Sequence, residues 1–259
     1  MQGTQTQRIE ASPVALVTGA SRGIGRATAL ALAERGYAVA VNFLSNGLAA
    51  QSVVSAIEAR GGEARALQAD VGDEDAVKAM FREMDAHFDG PLTALVNNAG
   101  ILFPQIKLVD MDAARVNHLL TQNVTSCFLC CREAILRMGP DGHNMGGAIV
   151  NVSSAASRIG APNEYIDYAA TKGAVDTLTM GLSKEVAEHG IRVNAVRPGF
   201  IDTDIHAAGG EPGRIARLAP SIPLQRGGTP EEVASAIAWL LSDEASYVTG
   251  TFIDVAGGR

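Results

Sequence analysis

This 259-residue sequence predicts an α/β fold, a three-layer doubly wound (Rossmann) arrangement around a seven-stranded parallel sheet. Three observations carry the prediction. Short runs rich in Val, Ile and Ala alternate with longer stretches of helical period, the runs are apolar at consecutive positions, and no linker or composition shift divides the chain. Strands apolar on both faces need cover on both sides, and right-handed helical crossovers between parallel strands supply it.

The elements follow in order. PVALVT precedes a helix over 23–36, YAVAVNF one over 46–60, EARALQA one over 73–88, and LTALVNN closes the first half. A long helix near 109–138, the strand AIVNVS, a helix over about 165–189, the strand IRVNAVRP, a helix near 230–242 and the strand TFIDVA complete the pattern. GPDGHNMGG at 139–147 reads as a surface loop. The stretch 203–228, rich in Gly, Pro, Arg and Ala, is too long for an ordinary connection. Ligands of open α/β sheets bind outside the carboxyl ends of the strands, so 203–228 is expected to cover a substrate. The expected organisation is a flexible polar arm at 1–11 and a single domain over 12–259.

Composition narrows the partners. A net charge of −7 and a pI near 5.2 argue against nucleic acid and acidic membrane surfaces, which need clustered Lys and Arg, and favour a small-molecule substrate. No run approaches the roughly 18 apolar residues of a membrane span, and a cytoplasmic location is expected. Cys127, Cys130 and Cys131 do not read as a disulfide framework, and without a second Cys pair or a His-x-His group no metal site is expected.

Directly after the first strand comes TGASRGIG. Gly19, Gly23 and Gly25 permit a tight turn, let backbone amides approach a pyrophosphate and allow close packing of helix on strand, while the helix N-terminus adds partial positive charge. Tyr168 and Lys172 stand four apart in a helical segment, hence on one face and about 5–6 Å apart at Cβ. A nearby ammonium favours the ionised form of a phenol, which suits such a pair to proton transfer. Tyr165 has Ala at the fourth position on, so Tyr168 is the better base.

The form TGxxxGxG resembles the short-chain dehydrogenase/reductase family, and further motifs follow in that family's order. These are Asp70 in ADV, the NNAG run from Asn97 to Gly100, Asn123, the pair Ser153 and Ser154, YAATK from Tyr168 to Lys172, and Pro198-Gly199. The resemblance covers nearly the whole chain. It implies an NAD(P)-dependent oxidoreductase moving a hydride between nicotinamide and a carbonyl or secondary alcohol, with Asn123, Ser154, Tyr168 and Lys172 as catalytic group. It implies cofactor contacts from Gly19, Ser21, Arg22, Gly23, Ile24 and Gly25 in the glycine loop, and from Asn42 and Phe43 at the end of the second strand. Asp70 would meet the adenine amino group, with Val71 lending its backbone, and Asn97, Ala99 and Gly100 would line the ribose. Lys172 would bind the nicotinamide ribose, Pro198 and Gly199 would pass under the cofactor, and Ile201 and Thr203 would reach the carboxamide. Asn123 would sit at a helix distortion holding a water toward Lys172.

Three choices stay open at this level. Ser153 competes with Ser154, depending on register. Asp73, directly before EDAVKAMF, is the better cap for the next helix, which leaves Asp70 to the ligand, and Asn98 is expected to stabilise the sheet. An acid ending the second strand would bind a ribose 2′-hydroxyl and repel a 2′-phosphate. None is present in VNFLSN, and Arg22 can reach a phosphate, so NADP(H) is favoured over NAD(H), with Asn42, Ser45 or Asn46 assisting. The apolar stretch 117–131 suits a subunit contact, and a homotetramer or dimer is expected. Substrate choice falls to 155–165 and 203–218, including His206, Glu211, Arg214 and Arg217.

Overall fold

A computed structural model of the chain describes residues 11–143, 145–205 and 209–259; the expected arm, save its last residue, and His206 lie outside the described residues. Seven strands form one parallel sheet in the order β3-β2-β1-β4-β5-β6-β7. They are β1 (Val14–Val17), β2 (Ala38–Phe43), β3 (Ala64–Gln68), β4 (Leu92–Asn97), β5 (Gly147–Val152), β6 (Ile191–Pro198) and β7 (Phe252–Val255). The expected α/β architecture is therefore present, with all seven strands.

Alternate residues of each central strand enter opposite cores, which is why the runs are apolar throughout. Ala15 and Val17 of β1, Ala94 and Val96 of β4, and Ala148 and Val150 of β5 join one core. Helices α1 (Gly23–Ala33), α2 (Gly47–Glu58) and α9 (Pro230–Leu241) cover that side, through residues such as Leu32, Ile57 and Ile237. Val14, Leu16, Leu95 and Ile149 join the other core with Phe81 and Met84 of α3 (Glu74–His87) and Cys130, Ala134 and Met138 of α5 (Ser126–Met138). Asn46, Asp73 and Thr229 cap α2, α3 and α9, each accepting from a backbone amide three residues on.

The expected long helix near 109–138 is instead three pieces. A 3₁₀ turn at Leu108–Asp110 leads to α4 (Ala113–Leu120), which Asp112 caps, and a π turn at Thr121–Thr125 separates α4 from α5. Periodicity alone cannot see one inserted residue; the buried amide of Asn123 is what the π turn accommodates. Further α-helices among the described residues are short α6 (Ala156–Ile159), α7 (Ile166–Glu185) and α8 (Arg214–Leu218). No described helix is long and apolar enough to cross a membrane.

Strand order reverses at β1, which has β2 on one side and β4 on the other. This is the topological switch point, where the loops leaving the two strands diverge and open a crevice. Thr18 and Gly19 leave β1 there, and Asn98 to Gly100 leave β4 opposite them.

Candidate active site

The glycine loop is built by its neighbours. Gly19 and Gly23 take φ of +62° and +53°, a region that favours glycine. A Cβ on Gly25 would lie 2.5 Å from both the Gly19 carbonyl oxygen and Asn98 Nδ2, so helix and loop touch at this point. Asn98 Nδ2 donates to the carbonyls of Thr18 (2.8 Å) and Gly19 (3.1 Å). Its role is thus to brace the glycine loop from β4, a more specific task than stabilising the sheet. Thr18 ties the same two loops, its hydroxyl accepting from the amides of Asn98 and Ala99. The start of α1 has no side-chain cap and no acid in its first turn, so its amides and dipole are available to an anion. These features fit a dinucleotide pyrophosphate, and Ser21, Arg22 and Ile24 lie on the same loop and first turn.

At the end of β2, the Asn42 side chain is fully committed. Its Oδ1 accepts from the Gly19 amide (3.1 Å), and its Nδ2 donates to the carbonyls of Leu67 and Ala69. The side chain clamps three strand ends and has no donor left for a phosphate, although its backbone and that of Phe43 still border the crevice. Asn46 Oδ1 caps α2. Arg22 is exposed, its nearest acid being Asp204 at 3.9 Å. Leu44 is also exposed, and its chain neighbours are Phe43 and Ser45, neither an acid. Asp70 follows β3 with Val71 buried beneath it, and Asp73 is the helix cap, as its sequence position implied.

Asn97, at the end of β4, turns its side chain into the sheet, donating to Asn151 Oδ1 (2.9 Å) and Cys131 Sγ. Only its backbone, with Ala99 and Gly100, borders the crevice. Gly199 follows β6; a Cβ there would meet the Ala256 Cα at 2.8 Å. Thr203 returns toward the glycine loop, its Cγ2 3.4 Å from where a Gly23 Cβ would be. Pro198, Gly199, Ile201 and Thr203 therefore close the crevice from the β6 side, with Ile201 buried.

The four catalytic candidates come together from three elements. Lys172 in α7 is buried, and its Nζ donates to the Val152 carbonyl at the end of β5 (2.8 Å) while lying 5.5 Å from the centre of the Tyr168 ring. Asn123 is fully buried in the π turn. Its amide is satisfied by Ile101 on both sides (2.8 and 3.0 Å) and by the Thr171 hydroxyl (3.2 Å), which itself donates to the Tyr168 carbonyl (2.7 Å). Gly100 lies in the angle between them: a Cβ there would be 3.3 Å from Asn123 Oδ1 and 3.6 Å from Lys172 Nζ. Ser153 is buried and donates to the Lys172 carbonyl, whereas Ser154 is part-exposed and, among the described residues, its Oγ accepts only from the Ala156 amide (3.1 Å). Of the two, Ser154 keeps its hydroxyl proton for a ligand. Tyr165 is buried with its hydroxyl donating to the Gly209 carbonyl, while Tyr168 is part-exposed.

Sequence reasoning missed several supports. Asp167 Oδ1 accepts from the Tyr168 amide (2.9 Å) and its buried Oδ2 pairs with the part-buried Arg115 of α4 (2.7 Å), which anchors the first turn of α7. Over the site, Arg214 is 6% exposed, paired with Glu164 (2.5 Å) and Glu211 (2.8 Å), and stacked near the rings of Tyr165 and Phe200. Glu211 also accepts from Arg217 and Gln105. Arg217 and Arg214 hold its carboxyl at about 2. The suspected substrate cover is thus clasped to the loops after β4 and α6. Partners 50 or more residues apart leave no periodic trace.

A glycine loop at the switch point of a doubly wound sheet, with a Tyr–Lys pair across the crevice, defines a dinucleotide-dependent oxidoreductase. Residues 19–259 match the family model described as enoyl-(acyl carrier protein) reductase, and the chain belongs to this short-chain dehydrogenase/reductase family, an NAD(P)-dependent oxidoreductase acting on carbonyl or alcohol groups. It is 64% identical over 246 residues to the uncharacterized oxidoreductase YgfF of Escherichia coli (strain K12), covering 95% of this chain and 99% of that one. It is 43% identical over 244 residues to the 3-oxoacyl-[acyl-carrier-protein] reductase FabG of Staphylococcus aureus (strain Mu50), covering 94% and 96%. Among solved structures, a dehydrogenase/reductase from Sinorhizobium meliloti 1021 superposes with a TM-score of 0.87 at 34% identity, covering 96% of this chain and 95% of that one.

Proposed function

We propose that the chain catalyses reversible, NADP(H)-dependent interconversion of a carbonyl compound and its secondary alcohol, with Tyr168 as general acid/base. One observation carries the assignment: Tyr168 is the part-exposed tyrosine whose ring faces the buried Lys172 ammonium, whereas the Tyr165 hydroxyl is occupied by Gly209. The nicotinamide cofactor, when bound, supplies or accepts the hydride. Tyr168 donates the proton to the substrate oxygen in reduction and takes it back in oxidation. Lys172, fixed by the Val152 carbonyl, stabilises negative charge developing on the Tyr168 oxygen. Ser154 donates to the substrate oxygen, and Asn123 holds the π turn against Ile101 and Thr171, keeping α4 and α7 in register beside Lys172.

For the cofactor, the crevice walls favour a phosphorylated ribose. Asn42 is engaged elsewhere, so the 2′-phosphate falls to the exposed Arg22 with Ser45 and Asn46, whose Oδ1 caps α2 while its Nδ2 bonds no acceptor among the described residues. The name of the FabG relative, an acyl-carrier reductase, supports a carbonyl substrate. Exposed Leu120, Phe128 and Leu136 along α4 and α5 support burial of this face between copies in a homotetramer.

Tyr168→Phe tests the core of the reading. It removes the exchangeable proton and keeps the ring, so turnover with an accepted carbonyl substrate falls at least about a thousandfold, within the range for general acid/base groups. NADPH binding, followed by its fluorescence, stays within about twofold of wild type, as expected for a change of one hydroxyl outside the phosphate sites. Full turnover in that variant overturns the role.

A further inference from the structure

Gln122 precedes Asn123 in the π turn, yet the two side chains serve opposite ends of the crevice. An α-helix separates neighbours by ~100°, and a π turn, with its i→i+5 bonds, separates them by less, so both can face the strand ends. Asn123 reaches the catalytic end, and Gln122 reaches Asp70, its Nε2 donating to Asp70 Oδ1 at 3.0 Å. The Gly72 amide donates to the same oxygen at 2.8 Å. Among the described residues, both contacts fall on Oδ1, and Oδ2 receives no protein donor. Gly72 makes room for this arrangement: a Cβ there would lie 2.7 Å from Gln122 Nε2 and 3.2 Å from Asp70 Oδ1. Ser126 fastens the turn beneath, its hydroxyl donating to the Gln122 carbonyl (2.7 Å).

We propose that Gln122 is a positioning residue for the adenine end of the cofactor: it fixes the Asp70 carboxylate by Oδ1 so that Oδ2 accepts the adenine 6-amino group. The inference rests on the proposed reading in which Asp70 meets that amino group. A carboxylate with a free χ2 would rotate between solvent and ligand; two donors on one oxygen leave one orientation. The same π turn then sets both the adenine acceptor and the catalytic asparagine.

The experiment compares dissociation constants for NADPH and for its deamino analogue, in which hypoxanthine replaces adenine and an acceptor oxygen stands where the amino donor was. Fluorescence of the reduced nicotinamide reports binding without turnover. Wild type prefers NADPH by about tenfold, the scale of a hydrogen bond to a charged acceptor. Gln122→Met, close in size but without the donor, lowers that preference to about threefold or less, with binding of the deamino analogue unchanged. Gln122→Leu, which likewise lacks the donor, has the same effect. Should Gln122→Met fail to fold, judged by its melting transition, Gln122→Leu carries the measurement. The ratio is taken within one phosphate class, so it does not depend on whether NADPH or NADH binds more tightly. Equal affinities for the two ligands in wild type would overturn the reading of Asp70 beneath the proposal. A wild-type preference that survives in both variants, or a loss that falls equally on both ligands, would overturn the role of Gln122 itself.

Discussion

Buried polar side chains decide the geometry at the scale of single residues. Thr171 is 1% exposed and stands between two candidates for catalysis, donating to the Tyr168 carbonyl and accepting from Asn123. Thr171→Val keeps the shape and leaves both partners short of a bond, so it should destabilise the fold by about 1–3 kcal/mol. Urea denaturation checks this: the midpoint falls while the slope stays constant, and an unchanged midpoint would refute the bridging role. The catalytic candidates were legible at this scale because their spacing carries chemistry, as with Tyr168 and Lys172. Asn42 and Asn97 were read as cofactor contacts, whereas their side chains are spent inside the sheet. Their partners, Leu67 and Ala69 for one and Asn151 and Cys131 for the other, lie across strand pairings that exist only once the sheet forms.

Elements divide into those set by local pattern and those set by what they touch. The strands were readable because burial on both faces leaves an unbroken apolar run, and the cap Asp73 marked the start of α3. The π turn at Thr121–Thr125 and the clasp on 209–218 depend on tertiary partners, so periodicity ran through the first, where only the family resemblance put a distortion at Asn123, and showed the second only as an overlong connection. The clasp has a pH signature. Glu211 is ordinarily near 4.5 and is held at about 2 by Arg217 and Arg214, both of which stay charged. A depressed carboxyl stabilises the folded form fully above its unfolded value and loses that contribution as pH falls through the folded value. Amide protection in 209–218, corrected for intrinsic exchange rates, should therefore hold steady from about pH 5 to 8 and decline between about 4.5 and 2. A decline complete by pH 5.5 would place the clasp on other groups. Helix α5 carries a second consequence. Cys127, Cys130 and Cys131 are free, buried, and pushed up by desolvation, so none presents a thiolate near neutrality. A disulfide reagent at pH 8 should find no reactive thiol in the folded protein and three after guanidinium unfolding.

At the scale of the whole molecule, the crevice is where the two halves of the sheet are joined. Thr18, Gly19 and Asn42 on the β1–β2 side are bonded to Val96, Asn98, Leu67 and Ala69 around it, and Arg214 ties the cover back to Glu164. A dinucleotide spanning the switch point would touch both halves at once and bind only the folded chain, so its binding energy adds to the stability of the whole sheet. At a free concentration of 100 times its dissociation constant the ligand contributes about 2.7 kcal/mol, which for a chain of this size raises the melting temperature by about 5–10 °C. On the proposed reading the effect discriminates between cofactors. The end of β2, Asn42-Phe43, carries no acid to bind a ribose 2′-hydroxyl, while Arg22 stands exposed on the glycine loop, its carboxylate partner among the described residues being Asp204 at 3.9 Å. NADPH should therefore raise the melting temperature more than NADH at equal concentration. Arg22→Ala should erase most of that difference while leaving the NADH shift in place, because it removes the 2′-phosphate partner and spares the glycine loop. Thermal melts of the two proteins with each cofactor decide it. A larger shift with NADH in wild type would assign the enzyme to NAD(H), and a difference that persists without Arg22 would move the phosphate contact to Ser45 and Asn46.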